Sequence, residues 1–381
     1  MSVVLKIKRG AIILAAVAAG VLCVVFSDGA RQGVYKGLAA CGTSVIPSLF
    51  LFCVLSVFAV KSGILQCFDK ITPVSHFALG LNGSELAVFL VSLVAGYPVG
   101  AALVCEMYKK GEICRKKAQR MAVFCVGAGP GFVISLVGGS VLGSESDGKR
   151  IFLATVLSSV LMAAVSGIVE KGREKAKRHV KLYQIIENAP QKGEIAPEVC
   201  LSDTFVLSVQ SAATTMLNVS AFIVAFSGVL GVLGSWRLPP EAKKYGFSLL
   251  EVTSGVMNFG RNELYAVAFL VGFGGISVHL QIMSAARGIG LKYKNVLWSR
   301  TVHGMLSAVL VSIFDGICPR ATETAAMGGA VFGTQVGAFG EAVGTTVPNV
   351  HGNPLSAAAM LLLGVTVAVA TKKKKARQKT C

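Results

Sequence analysis

Charged side chains are scarce in this 381-residue chain. Asp, Glu, Lys and Arg together make up 15% of the residues, whereas Ala, Val, Ile, Leu, Met, Phe, Trp, Tyr and Cys make up 53%. Soluble globular domains carry about 25% charged residues, so this chain has too few charges to cover a water-facing surface. Strand-like alternation is also lacking, which argues against a membrane barrel. The composition excludes an ordinary soluble enzyme and a disordered chain, and it predicts an all-α polytopic membrane protein.

Sequence motifs that mark enzymes and pumps are missing as well. The chain has no GxxxxGK[ST] phosphate loop, no HExxH helix and no GxSxG nucleophile turn, so neither an ATP-driven pump nor a hydrolase is indicated. The ten cysteines include no CxxC pair, and most lie in or beside apolar runs, where cysteine behaves as a small hydrophobe. We therefore expect no enzymatic activity, no cofactor, no metal site and no disulfide framework.

Acidic residues are fewer than basic ones, with 19 Asp and Glu against 37 Lys and Arg. The basic residues form clusters between apolar runs, at 6–9, 109–120, 171–181 and 372–375. Such clusters follow the positive-inside rule and favour anionic lipid headgroups, so we expect a lipid bilayer and not nucleic acid as the partner. The first apolar stretch has no cleavage site after it, which predicts an uncleaved span with a cytoplasmic N-terminus in the cell membrane.

The apolar segments predict about eight transmembrane helices, with re-entrant hairpins among the candidates. They lie near 10–27, 44–66, 85–108, 121–143, 151–169, 204–235, 264–285, 301–317 and 355–371. Segment 30–43 is short and amphipathic, which suggests an interfacial or re-entrant helix. The predicted organisation is an N-terminal anchor (1–29), a first membrane repeat (30–169), a basic cytoplasmic linker (170–203), a second repeat (204–317), a Gly/Ala-rich loop (318–354), and a last helix with a basic tail (355–381).

The two halves of the chain have related patterns. Segment 89–111 can be aligned with 269–290, which places Gly96 opposite Gly275. Repeats with broken helices are typical of secondary transporters. The orientation of the repeats stays open: hairpins at 44–66 and 204–235 would give inverted repeats and put the basic residues near 287–300 outside. A further crossing near 240–260 would return them inside, as the charge rule favours.

A helix break is predicted in the middle of the apolar run 85–108. Gly96, Tyr97, Pro98 and Gly100 follow one another closely there, and proline removes a backbone donor while glycine adds freedom. In lipid, the freed backbone groups need partners, so such breaks lie in protein or at a watery cavity. These four residues, with Gly275 in the second half, are candidate substrate-binding residues; a simple proline kink is the alternative.

The second half carries polar residues inside apolar stretches. Ser277, His279 and Gln281 are candidates for solute binding, and residues 277 and 281 share a helix face. A structural hydrogen bond between helices is the alternative for them.

Glu251, with Ser254, lies in an apolar stretch with a single acid, where it could meet a cation, a sugar hydroxyl or a basic side chain such as Arg300. The alternative is an interfacial acid at a helix start. Asn218 would lie at the tip of a hairpin in 204–235.

Several of these motifs resemble a known family. The stretches at 96–101 (GYPVGA), 249–255 (LLEVTSG) and 275–281 (GISVHLQ), together with 46–50 and 300–303, resemble the YlbJ family of sporulation integral membrane proteins, in the nucleoside-recognition or gate domain group. The resemblance covers roughly residues 35–317. It implies a protein of endospore-forming bacteria that is needed for spore cortex formation, with a fold akin to concentrative nucleoside transporters.

The function expected from this resemblance and the broken helices is that of a secondary-transporter-like carrier of a small polar solute or ion. This sequence departs from the family pattern at Ala102, where a lysine is usual, and at 124–130, where Asn and Ser are usual. These departures favour the alternative, a non-transporting assembly or scaffold factor whose partners are other sporulation membrane proteins.

Overall fold

The computed structural model describes residues 2–64, 68, 72–178 and 201–318. Within these ranges the chain is helical and contains no strand, so the predicted all-α class is confirmed. The helices are α1 (Ser2–Val25), α2 (Ser27–Ala40), α3 (Ile46–Lys61), α4 (Thr72–Leu79), α5 (Gly83–Ala95), α6 (Val99–Lys109), α7 (Arg115–Phe124), α8 (Glu145–Arg178), α9 (Leu201–Gly234), α10 (Pro240–Leu250), α11 (Val252–Val256), α12 (Leu264–Phe273), α13 (Gly275–Ala285) and α14 (Tyr293–Ile317). The described elements also include two π-helices, Cys41–Val45 and Gly131–Val141, and short 3-10 turns at Arg261–Glu263 and Arg287–Ile289.

Five helices in the described part of the chain are long and apolar enough to cross a membrane, fewer than the eight or so predicted. They are Ser27–Lys61, Glu145–Gly172, Leu201–Gly234, Arg261–Ala285 and Tyr293–Ile317. The difference arises because several apolar segments fold as shorter, interrupted helices, among them Gly83–Ala95 and Gly131–Val141. The predicted loop at 318–354 and the last helix near 355–371 lie, apart from residue 318, outside the described residues.

Two sequence-based alternatives for the first and third of these spans are wrong. Segment 30–43 is not a separate interfacial or re-entrant helix, because α2, a π-helix and α3 run on as one helical span. Segment 204–235 is not a hairpin either, because α9 is continuous over 34 residues. Neither segment contains a proline or two consecutive glycines, which would interrupt the backbone hydrogen bonds in mid-helix. The helical hydrogen bonds therefore continue through both segments.

Helices α2 and α9 pack with their backbones in contact. A Cβ atom on Gly33 would overlap the carbonyl oxygen of Ser227, and one on Gly29 would lie 2.6 Å from the carbonyl oxygen of Gly231. Only glycine permits this approach, as at other close helix crossings in membranes. The contact of Gly29 with the last turn of α9 shows that the two helices run in opposite directions.

Polar contacts define two ends of the helical body. At the first, Arg115 donates to the carbonyl oxygen of Ile289 (3.0 Å), and Arg120 pairs with Glu170. Exposed lysines and arginines of 109–116 and 287–294 surround these contacts, so we call this the basic end. At the other, the distal end, the ion pairs Arg150–Asp315 (3.0 Å) and Arg261–Asp147 (2.8 Å) join α8 to α14 and to the start of α12.

Helices α5 and α6 form a hairpin whose two outer ends lie at the basic end. Glu85, in the first turn of α5, pairs with Lys117 of α7 at 2.8 Å, and a Cβ on Gly288 would lie 3.3 Å from the Cε atom of Lys109, the last residue of α6. Asn82 and Glu85 close the start of α5 with a capping box. The predicted break at 96–98 is therefore the tip of a hairpin rather than a kink in a crossing helix.

Helices α10 and α11 form a second hairpin, which starts from the distal end. Lys244 of α10 bonds the carboxylate of Glu263 at 2.9 Å, just before α12 begins. Ser248 donates to the carbonyl oxygen of Gly255 (3.1 Å), so the chain turns back at Glu251. The segment near 240–260 thus does not cross, and that alternative is wrong. Within the described residues, the basic residues of 109–120 and 287–294 nevertheless share one end, because α12 and α13 return the chain there.

Each hairpin tip packs against the break of an interrupted helix. The first interrupted helix consists of α7, an irregular stretch at 125–130 and the π-helix Gly131–Val141, and its Gly129 backbone nitrogen would lie 2.9 Å from a Cβ on Gly96. The second consists of α12 and α13, joined at Gly274, which has a φ of 85°. There a Cβ on Gly275 would lie 3.1 Å from the backbone nitrogen of Val252. Two tips and two breaks therefore meet in the middle of the fold.

Candidate functional site

The hairpin tips and helix breaks enclose a small cavity of about 30 Å³, which we call the central cavity. Its lining comes from Val45, Leu49, Gly96, Tyr97, Ala128, Gly129, Phe132, Val219, Ile223, Glu251, Val252, Thr253, Val278 and Gln281. The structure thus brings together candidates that are far apart in sequence: the first break, Glu251 and Gln281. Thr253 and the stretch around Gly129 belong to the same wall and were not singled out as ligands from the sequence.

Among the described residues, Glu251 is the one charged residue that lines this cavity, and it is 1% exposed. Its carboxylate accepts hydrogen bonds from the backbone N–H groups of Thr253 (2.9 Å) and Ser254 (2.6 Å), so it caps the short helix α11. No cationic side chain pairs with it in the described part of the chain. Arg300, its expected partner, binds elsewhere. Ser254 contributes its backbone to the carboxylate.

Tyr97 extends from the tip of the first hairpin into the same cavity. Its hydroxyl group is buried and has no hydrogen-bond partner among the described residues. Its ring lies 6.4 Å from that of Phe132. A buried hydroxyl without a partner is costly and points to a ligand or water at this position. The following residue, Pro98, joins Tyr97 through a cis peptide bond and borders the neighbouring cavity.

A larger cavity of about 160 Å³ lies beside the central one, and we call it the lateral cavity. It is lined by Pro98, Ala102, Thr215, Asn218, Val219, Phe222, Gln281, Ser284 and Ala285. Asn218, predicted at a hairpin tip, is instead a residue in the middle of α9 that faces this cavity. Thr215 and Ser284 add hydroxyl groups that the sequence did not mark as a set, because they come from helices far apart in the chain.

Gln281 belongs to both cavities. Its amide nitrogen donates to the hydroxyl of Ser277 at 3.3 Å, as the predicted shared helix face requires, which leaves the amide oxygen free to act as an acceptor. Ser277 itself is fully buried and lines neither cavity. Val219 lines both cavities as well, and Gln281 is the polar side chain of this shared pair, through which the contents of one cavity can influence the other.

Three other candidates shape the site without lining it. His279 is fully buried, its Nε2 atom lies 3.0 Å from the carbonyl oxygen of Phe273, and its ring packs on that of Phe273. Gly100 sits under the break of α7, where a Cβ would overlap the carbonyl oxygen of Cys125. Gly275 lets α13 start against the second hairpin tip. These three residues position the hairpins and interrupted helices whose other residues line the cavities.

Arg300 on α14 is the buried cation of this region, 1% exposed. Its guanidinium donates to the carbonyl oxygens of Val126 and Gly272 and lies 3.4 Å from that of Phe273. One turn on, His303 Nδ1 lies 3.1 Å from the Gly272 oxygen. Helix breaks leave such carbonyls without helical partners, so Arg300 satisfies the ends of both interrupted helices. An arginine at the start of the apolar segment 301–317 was the only sequence signal of this role.

Comparison with known proteins agrees with the motif resemblance. Over 310 residues the chain is 24% identical to the sporulation integral membrane protein YlbJ of Bacillus subtilis (strain 168), covering 73% of this chain and 75% of that protein. This similarity supports assignment to a YlbJ-like family, and with the apolar helices it makes the chain a multi-pass membrane protein. No family model matches the sequence. No solved structure matches it either.

Proposed function

We propose that this YlbJ-like protein is a secondary-transporter-like carrier of a small polar solute and that it acts in spore cortex formation. One observation carries the proposal: two helical hairpins that start from opposite ends of the fold place their tips on the wall of one small cavity, beside a second, solute-sized cavity. In carriers, such broken elements near mid-membrane present backbone groups to the solute, and their movement opens the site to each side in turn.

The order of elements supports a pair of inverted repeats. The first half contains a long helix (α2–α3), a hairpin (α5–α6), an interrupted helix (α7 and the π-helix Gly131–Val141) and a second long helix (α8). The same order recurs as α9, α10–α11, α12–α13 and α14, with the hairpin now starting at the distal end. This correspondence differs from the sequence alignment of 89–111 with 269–290, because it pairs the first hairpin with 240–256. Glycine-broken apolar stretches resemble one another whichever element they form.

The size of the lateral cavity limits the solute. About 160 Å³ is close to the size of a cavity that holds one benzene molecule, so a solute with a single ring, or an acyclic one, fits. A nucleoside, with a base and a sugar, would need the walls to move. Asn218, Thr215, Ser284 and Gln281 supply amide and hydroxyl groups, which suit a neutral solute with several hydroxyl or amide groups.

The transport proposal can be tested with purified full-length protein in vesicles. Uptake of a radiolabelled panel that includes a hexose, an N-acetylated amino sugar, a neutral amino acid and uridine would be compared with empty vesicles. We expect saturable uptake of a single-ring or acyclic solute, lowered by Asn218→Leu. No uptake of any member above the empty vesicles would count against a carrier of this class.

A second experiment tests the role in sporulation. The chain would be expressed in Bacillus subtilis lacking YlbJ, and heat-resistant spores would be counted at matched protein levels. We expect the wild-type chain to restore spores, and Glu251→Gln with Gln281→Ala to abolish restoration. Full restoration by that double variant would instead favour a scaffold that binds other sporulation membrane proteins through the basic end, where exposed lysines and arginines from both halves are gathered.

A further inference from the structure

The central cavity differs from the lateral cavity in both size and charge. About 30 Å³ is room for about one or two water molecules, so a sugar or an amino acid does not fit. Its wall nevertheless includes a carboxylate, on Glu251, and a hydroxyl group without a partner, on Tyr97. These groups need an occupant that is small and rich in positive charge.

We propose that the central cavity binds one monovalent cation of the size of sodium, held by the carboxylate of Glu251, the hydroxyl of Tyr97 and the amide oxygen of Gln281. This site adjoins the lateral cavity, so the inference deepens the proposed function. A role of the ion in transport rests on that proposed function. Its existence as a binding site does not depend on transport.

The charge of Glu251 is the first argument. Its only donors in the described part of the chain are two backbone N–H groups of α11, a helix of five residues. A buried carboxylate without a counter-charge is strongly unfavourable. The nearby buried cation, Arg300, is occupied by the carbonyl oxygens of Val126 and Gly272. A single positive ion in the cavity would balance the single negative charge.

The chemistry of the donors is the second argument. Carboxylate, hydroxyl and amide oxygens are hard ligands, which favour sodium-like, magnesium-like or calcium-like ions over soft transition metals. One carboxylate matches one positive charge, whereas divalent sites commonly use several. The volume of about 30 Å³ accepts a bare or singly hydrated ion and excludes a fully hydrated one. A monovalent ion therefore fits both the charge and the space.

The positions of the three ligands link the ion site to both hairpins and to the lateral cavity. Tyr97 belongs to the first hairpin and Glu251 to the second, so an ion held by both would draw the two tips together. Gln281 borders the lateral cavity as well. Binding of the ion would fix the Gln281 side chain and hold the two tips together, and the solute would gain affinity when the ion is present.

The test is a thermal melt of the purified full-length protein in detergent at constant ionic strength, with sodium chloride replacing choline chloride. A ligand that binds the folded state raises the melting temperature with the logarithm of its concentration above Kd. We expect such a rise for wild type with sodium and little rise in Glu251→Gln. Glu241→Gln, which removes an exposed carboxylate from α10 of the same hairpin, is the matched control and should respond as wild type does.

Tyr97→Phe keeps the charge and removes one ligand, so it carries the test even if Glu251→Gln folds poorly. We expect its sodium response to need at least a fivefold higher concentration. Equal melting in sodium and choline for wild type overturns the proposal, as does an unchanged sodium midpoint in Tyr97→Phe. If melting depends on pH but not on sodium, the occupant is a proton and the sodium site is again overturned. A sodium response without solute uptake would refute the carrier and leave the site standing.

Discussion

The guanidinium of Arg300 donates to the backbone carbonyl oxygen of Val126, although 174 residues separate the two. The same side chain donates to the carbonyl oxygen of Gly272. One residue on α14 therefore satisfies the open ends of both interrupted helices. The breaks can exist in a low-dielectric interior because this fork of donors replaces the lost helical hydrogen bonds.

Replacement of Arg300 by lysine should destabilise the protein even though the charge is kept. A lysine carries one compact donor group instead of a planar fork, so at least one buried carbonyl oxygen would lose its partner, at a cost of about 1–3 kcal/mol. We expect a clearly lower melting temperature in detergent. Arg237→Lys, at an exposed position, is the control and should melt with wild type; equal melting of the Arg300 variant would show that the fork is not needed.

Gly100→Ala should prevent the first hairpin from closing on α7. The added Cβ would overlap the Cys125 carbonyl oxygen and lie 2.7 Å from the Ser92 Cβ, and overpacking of this kind costs about 1–3 kcal/mol or more. Gly127→Ala, two residues further along the adjoining break, is the matched control, because its Cβ would meet nothing closer than 3.9 Å. The measurement is the yield of monodisperse protein. Similar yields for both variants would contradict the packing described here.

Asn218→Leu should lower function without lowering stability. The leucine would replace a polar wall of the lateral cavity by an apolar one, while α9 keeps its contacts with α2. We expect at least a tenfold loss of heat-resistant spores in the complementation assay at unchanged protein level. Thr214→Leu alters an exposed residue of the same helix that lines neither cavity and should restore spores normally. Loss of spores in both variants would point to the helix face rather than the cavity.

Two native cysteines report the sidedness of the fold. Cys114 lies exposed at the basic end, and Cys318 lies exposed at the distal end, where its carbonyl oxygen accepts from Arg150. The charge rule places the basic end in the cytoplasm. In intact cells a membrane-impermeant maleimide should therefore label Cys318 but not Cys114, as read by peptide mass spectrometry, and lysis should expose Cys114. Labelling of both in intact cells would refute this arrangement.

Composition and local chemistry predicted part of this architecture. The deficit of charge predicted membrane helices, and the Gly–Tyr–Pro sequence at 96–98 predicted a break at the correct place. Glu251 was recognisable as a lone acid in an apolar stretch. Each of these features is written in a few adjacent residues, so no tertiary knowledge was required.

The direction of the chain after each break was not predictable in the same way. A hairpin and a kinked crossing have the same hydropathy, and the distinction lies in contacts such as Glu85 with Lys117 and Lys244 with Glu263. The expected pairing of Glu251 with Arg300 was also reasonable from charge alone. Arg300 instead meets backbone carbonyls, whose availability depends on where both helices break.

The glycine contact between α2 and α9 separates the parts that can move from those that cannot. Where two backbones touch, no side chain lies between them to change its rotamer. We therefore expect α2 and α9 to stay together as a rigid pair. Each hairpin, by contrast, is fastened at its base by an ion pair, Glu85–Lys117 or Lys244–Glu263, and its tip approaches the backbone of a helix break rather than that of a long helix. Movement of a hairpin would therefore require its tip to part from a helix break, while the α2–α9 pair stays in place.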